Sequence, residues 1–210
     1  MKHDTSGETR ERLRRLKGKT SWLADIVAAV LSLFYIYTSG FGLVTTELHR
    51  GGYILLTMML CFLLYPANKK SPQSRASVLD GILCLLVVIS VTYWIVEFPA
   101  YATERVRNPA TADIVMGMII TILSLEVARR TINWVLPILA FVFLLYAYFG
   151  RLVPGILGHP GFSIVNIVES VACGVGGIYG IVANTYATFV FPFIIFASFL
   201  KAAGAGDAIE

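Results

Sequence analysis

The sequence predicts an all-α, polytopic membrane helix bundle of about six transmembrane helices, with a short amphipathic helix at the interface. Three observations predict it. Apolar residues make up 57% of the 210-residue chain, charged residues only 14%, and the mean hydropathy is +0.73. A soluble domain carries about 25% charged residues because water must solvate its surface. The apolar residues fall into separate runs of about 16 to 23, the length a ~30 Å hydrocarbon layer demands of a helix. Lys and Arg are sorted between the connecting segments, as they are in membrane proteins.

Each run has its own boundaries. Residues 1–21 form a basic arm holding Lys2, Arg10, Arg12, Arg14, Arg15, Lys17 and Lys19. The first span is expected over 22–38. The second, 52–66, is short and closed by Pro66, with Lys69 and Lys70 just beyond. The third, 78–98, is expected to stop at Pro99, and the fourth, 112–128, to close on Arg129 and Arg130. The fifth, 134–150, carries Pro137 in its first turn, where a missing N–H costs little. A Pro/Gly-rich turn over 154–161 cannot be regular helix. After it, 162–173 places Ile164, Ile167, Val168 and Val171 on one helical face and Ser163, Asn166, Ser170 and Cys173 on the other. That pattern fits a short amphipathic helix, either at the outer membrane surface or packed on a neighbouring subunit or domain. The sixth span is expected over 177–201, interrupted by Pro192.

Charge sets the direction. With the N-terminus in the cytoplasm, thirteen basic residues lie inside: the seven of the arm, Lys69, Lys70, Arg75, Arg129, Arg130 and Lys201. Four lie outside: Arg50, Arg105, Arg107 and Arg151. The opposite orientation violates the positive-inside rule. A pI near 9.0 does not point to nucleic acid here, because the positive charge is sorted by topology rather than gathered on one face. The anionic lipid bilayer is the partner this charge fits. The basic arm is long and mixed with acids, and no clear small-residue cleavage site follows, so the first span reads as retained rather than as a signal peptide.

Candidate sites are sparse. Cys61, Cys84 and Cys173 form no CxxC pair, and neither a disulfide framework nor a metal site is expected. Gly18-Lys19-Thr20 resembles the end of a phosphate loop, but Leu13 stands where that loop needs glycine. Glu126, Arg129 and Arg130 share neighbouring helical positions and form a charge cluster at the cytoplasmic interface. A neutralised helix end and a gate or lipid contact are both open for it. Gly176 and Gly180 have GxxxG spacing and are expected to pack helices, with a hinge as the rival. Asn184, Thr185 and Thr188 make a polar patch in the sixth span. Interhelical hydrogen bonding and the lining of a substrate path are both open for them. No ionisable residue lies near the middle of any expected span, so the chain reads as scaffold more than as a complete pathway. No cofactor is expected. No catalytic pair lies at membrane depth, and an enzyme is not expected.

Four ordered groups of residues carry a resemblance. They are Arg50-Gly51-Gly52-Tyr53 leading to Phe62-Leu63-Leu64-Tyr65-Pro66, and Leu125-Glu126-Val127-Ala128-Arg129-Arg130 leading to Trp134-Val135-Leu136-Pro137. Phe143 to Gly150 followed by Pro154-Gly155 and His159-Pro160-Gly161-Phe162 is the third, and Phe191-Pro192-Phe193 through Gly204-Ala205-Gly206 the fourth. From Trp22 onward the chain resembles the N-terminal part of the fused membrane subunit of a tripartite ATP-independent periplasmic (TRAP) transporter, of the type paired with TAXI-class binding proteins.

The resemblance implies that 22–130 corresponds to the small four-helix component and 131–210 to the start of the large one. Family members continue well past this length, so a truncated member is the expectation. It further implies a permease component of the bacterial inner membrane, its scaffold portion, in a secondary uptake system for organic acids or carboxylates. A periplasmic substrate-binding protein and the remainder of the permease are the implied partners, and a sodium or proton gradient the implied drive. The rival reading is a non-transporting membrane assembly or scaffold protein.

Overall fold

The computed structural model describes residues 13–42, 44–68, 71–174 and 176–204. Every regular element among them is helical, and six helices are long and apolar enough to cross a membrane. In chain order these are α1 (Lys19–Phe41), α2 (Thr46–Leu64), α3 (Val78–Arg105), α4 (Thr111–Thr131), α5 (Val135–Leu152) and α7 (Ile181–Ala202). The short α6 (Ile164–Cys173) precedes α7. Consecutive long helices run in opposite directions. The ends of α2 and α4 and the starts of α1, α3 and α5 therefore meet at what we call the arm end.

Helix α1 buries Ala24, Val27, Leu31, Tyr35 and Thr38, a stripe at helical spacing. Helix α2 begins six residues before the expected start at 52, because the Thr45 side chain accepts a hydrogen bond from the Leu48 N–H and caps it. His49 and Arg50 thereby become helical rather than loop residues. The Ser77 N–H donates to Asp80 at 2.8 Å at the start of α3, and the Ala110 N–H to Asp113 at 2.8 Å at the start of α4. Each carboxylate also sits at the positive end of its helix.

Two prolines behave differently from expectation. Pro99 does not stop α3, which continues to Arg105 through a wider π-type turn over Tyr101–Arg105. Pro192 does not interrupt α7 either, since a π-type turn over Tyr186–Val190 immediately precedes it. At Pro192 the wider turn precedes the ring and gives the preceding carbonyl room, whereas at Pro99 it follows the ring and carries the helix on to Arg105.

The main core joins α2, α3 and α4 through Met58, Phe62, Val87, Val91, Ile120 and Leu123. Val168 and Ala172 of α6 and Ala183 of α7 extend it. A smaller cluster of Leu31, Tyr35 and Ala187 seats α7 against α1. Helix α6 packs on α4, with Val168 and Ala172 buried against Gly117, while Ile164 stays exposed. Helix α5 is the outlier, burying only Pro137 and Gly150 along its length.

Backbones approach closely at Gly51 and Gly117, not at the expected pair. A Cβ on Gly117 would lie 2.6 Å from the Val168 Cγ1 and 3.1 Å from the Ala172 Cβ. One on Gly51 would lie 2.6 Å from the Ile95 Cγ1. Gly176 and Gly180 stand in the turn before α7, outside any helix, and a Cβ on Gly176 would meet nothing within 4 Å. The turn forms because the Ile178 N–H reaches back to the Val171 carbonyl at 2.7 Å and Gly180 donates to Gly177 at 2.8 Å. These bonds close the reversal before a helix starts, so the GxxxG spacing never becomes a helix face. Gly117→Leu is expected to lower the thermal unfolding midpoint in detergent, overpacking the α4–α6 contact by about 1–3 kcal/mol. Gly176→Ala is expected to leave that midpoint within experimental error.

Candidate functional site

Two polar constellations stand out, one at each end of the bundle. The first lies one turn inside the far end, where α7 crosses α2. Asn184 and Thr188 are one helical turn apart on the face of α7 that also carries Ala187, whose fully buried methyl lets α7 come close. From α2, the Arg50 Nε donates to the Asn184 Oδ1 at 3.3 Å, and the His49 Nε2 lies 3.0 Å from the Thr188 Oγ1. Tyr35 of α1 donates its hydroxyl to the His49 carbonyl at 2.5 Å. Its ring packs edge-on against Tyr53 and Phe191, which seals the junction with aromatic surface.

Of the three expected polar residues of this span, two meet and one does not. Thr185 points elsewhere: it is exposed, and its hydroxyl donates to the Ile181 carbonyl of its own helix at 3.0 Å. The sequence reading missed His49, Arg50 and Tyr35 as members of this group. The available signal was Thr45-x-x-Leu48, a helix cap placed before what looked like loop.

The chemistry of this junction is that of a positive, hydrogen-bonding contact. Arg50 forms no ion pair among the described residues. The His49 Nδ1 is buried and has no hydrogen-bond partner among the described residues. Among the described residues no group of three or more His, Cys, Asp or Glu side chains is placed to hold a metal ion.

The second constellation gathers charge at the arm end. Glu126 accepts two bonds from Arg129, each at 2.7 Å, and one from the Arg130 Nε at 2.8 Å. Arg130 continues inward to the Asp80 Oδ1 at 2.6 Å. The other Asp80 oxygen takes Arg14 of the basic arm at 2.7 Å, and the side chains of Arg14, Asp80 and Arg130 are all fully buried. The same guanidiniums cap the end of α2, whose last carbonyls have no helical partner. Arg14 donates to Leu63 at 3.3 Å, Arg130 to Tyr65 at 3.2 Å and Arg129 to Ala67 at 3.1 Å. Arg130 also lies over the Phe62 ring at 5.0 Å, and Arg129 over Trp134 at 5.1 Å.

The expected trio of Glu126, Arg129 and Arg130 is therefore one half of a larger network. Arg14 and Asp80 are its missing members, and the arm is docked rather than free where the structure describes it. The Arg14 N–H bonds to the Leu64 carbonyl at 2.9 Å and the Lys17 N–H to Ser74 at 2.9 Å.

An aromatic stack lies beside the first constellation, on the other side of Gly51. Trp94 of α3 and Tyr179 of the turn before α7 lie face to face, 3.9 Å between centroids and 9° between planes. They line a cavity of about 20 Å³ with Ser90 and Gly117. Neither the Trp94 Nε1 nor the Tyr179 hydroxyl has a partner among the described residues, and a space of this size admits a single water. Burial raises the Tyr179 hydroxyl pKa well above the ordinary phenol range, so it stays a donor. Just outward, Arg105 bridges Glu97 and Asp113, and the Tyr101 hydroxyl donates to Glu169 at 2.6 Å.

In comparisons with known proteins, the chain matches no family model, no curated protein and no solved structure. Asp80→Asn is expected to cost about 3–5 kcal/mol, because it leaves the buried Arg14 without a carboxylate and Arg130 with Glu126 alone. The measurement is the denaturation midpoint in detergent, against Arg129→Gln, a partly exposed member expected to cost about 1 kcal/mol or less. Equal midpoints for the two variants would show that the buried triad is not what holds this end together.

Proposed function

We propose that the chain is the scaffold portion of a membrane permease, part of a secondary, binding-protein-dependent uptake system for organic acids. The observation that carries this reading is the polar junction of α2 and α7. A guanidinium, an imidazole, an amide and a hydroxyl meet between two otherwise apolar helices. Ionisable groups inside a span are costly unless paired, and they mark pathways as well as interhelical contacts. The cation among them has no carboxylate partner, which suits traffic in anions. The ordered motifs that resemble TRAP permeases supply the system: a periplasmic binding protein, the remainder of the permease, and a sodium or proton gradient.

The proposal places the chain in a bacterial inner membrane with its N-terminus in the cytoplasm. Support comes from the thirteen-to-four distribution of basic residues. It also comes from the arm being docked at the end that holds Arg129 and Arg130. A second reading, a non-transporting assembly protein, draws on the little-buried α5, which offers a broad apolar side to a partner helix.

Proteoliposomes containing the chain with the remainder of the permease test the first reading, given a matching binding protein and an imposed sodium or pH gradient. Uptake is expected to require both. Arg50→Gln and Thr188→Val are each expected to slow it about tenfold, the effect of leaving one buried polar group unpaired, whereas Thr185→Val leaves it unchanged. Accumulation that ignores both gradients sinks the reading. Crosslinks from α5 to complexes other than a permease favour the rival.

A further inference from the structure

We propose that a membrane phospholipid has a defined seat in the groove between α4, α5 and α6, one acyl chain in the groove and its phosphate on Arg151. The groove runs along α5 because that helix buries only Pro137 near its start and Gly150 at its end, the latter under the His159 ring of its own following loop. Between those points lies a space of about 380 Å³, walled by Ile122 of α4, Leu144 and Leu145 of α5, and Ile167 and Val171 of α6. Its lining is almost wholly apolar, so water gains no hydrogen bonds by filling it.

The mouth of the groove differs. Tyr148 and Phe149 belong both to it and to an adjoining hollow of about 470 Å³ that is lined by Arg151, Gly161 and Ser163. The loop after α5 is folded back to build this hollow. Phe162 N–H bonds to the Ala147 carbonyl at 2.9 Å, the Tyr146 hydroxyl to Leu157 at 2.6 Å, and the His159 ring packs where a Gly150 side chain would stand. Arg151 spends its Nε on the Pro160 carbonyl, which fixes the guanidinium. Both of its terminal amino groups have no partner among the described residues, and no carboxylate pairs with it. A planar pair of donors on an anchored guanidinium matches two phosphate oxygens.

Charge decides between occupants. A partner helix fills the apolar trough but leaves an exposed arginine at its rim without an anion. A phospholipid satisfies both parts at once, with the headgroup at the far end of α5, where the span meets the interface. The seat depends on α4, α5 and α6 alone, so it stands or falls separately from the transport reading.

The test uses the full chain in nanodiscs of phosphatidylcholine and phosphatidylglycerol, a fraction carrying a photoactivatable diazirine in the acyl chain. Crosslinked peptides are mapped by mass spectrometry. Label is expected to concentrate on Ile122, Leu145 and Ile167 by about fivefold over the lipid-facing Phe193 and Phe196 of α7, a margin equivalent to about one ordinary hydrogen bond. Arg151→Gln is expected to abolish most of that enrichment and Arg151→Lys to retain part of it. Ile167→Trp, which fills the trough, removes it. Labelling of the groove at or below the α7 level overturns the proposal, whether bulk lipid or protein covers it. Enrichment that survives both Arg151→Gln and Ile167→Trp overturns it too.

Discussion

A carboxylate with no exposure to solvent, held between two equally buried guanidiniums, governs the geometry of this bundle. Asp80 opens α3, Arg130 closes α4, and Arg14 comes from the arm ahead of α1. The two arginines also take the last carbonyls of α2, so four segments converge on one ion cluster. Apolar side chains give helices in lipid little preference for one register over another, since hydrocarbon solvates them about as well as a neighbouring helix does. Buried charges are different. They persist only when each finds its partner, and a slip of one helix by a single turn would strand them. Arm, α2, α3 and α4 are therefore registered at one end by electrostatics. The close contact at Gly51 then fixes the distance between α2 and α3, and the one at Gly117 seats α6 on α4.

Much of this architecture was legible in the sequence because hydrocarbon thickness and charge sorting act on long windows. Every expected span has its helix, and the terminal cluster was visible in Glu126, Arg129 and Arg130 as neighbours on one helix. What escaped depends on pairings between residues far apart in the chain. Asp80 looked like an ordinary first-turn acid, and Arg14 like one of seven equivalent basic residues of a tail. Nothing local distinguishes the arginine that turns inward from those that do not. Helix α2 was read as starting late because His49 and Arg50 are polar, although Thr45 caps them into the helix. The prolines were read by their usual effect in a regular α-helix, yet the helix runs on past both, with a π-type turn ahead of Pro192 and one after Pro99. Gly176 and Gly180 show the same failing in reverse, since a spacing that matters on a helix means nothing in a turn.

The candidate site was half legible for a related reason. Asn184 and Thr188 stand out as polar residues in an apolar run, and so does Thr185 beside them. Only packing separates them, because the buried Ala187 turns the 184 and 188 positions toward α2 and leaves 185 outside. Their partners, His49 and Arg50, lay in what the hydropathy pattern assigned to a loop.

The contrast between the two ends has a mechanical consequence. The arm end is closed by five charged side chains with buried members, which come apart only at high cost. The far end of α7 is held by neutral or singly charged hydrogen bonds, each of about 0.6 kcal/mol in a membrane setting, plus aromatic contact. Helix α7 also carries the wide turn over Tyr186–Val190, where regular helical bonding is already broken next to Pro192. Such turns let one half of a helix tilt relative to the other without new unpaired groups. Helices α2 to α4 and the arm are thus held by buried ion pairs, and α7 by weaker hydrogen bonds and aromatic contact. On the permease reading proposed above, the Arg50–Asn184 contact lies where α7 meets that unit, and this is why that reading turns on the polar junction rather than on the larger ion cluster.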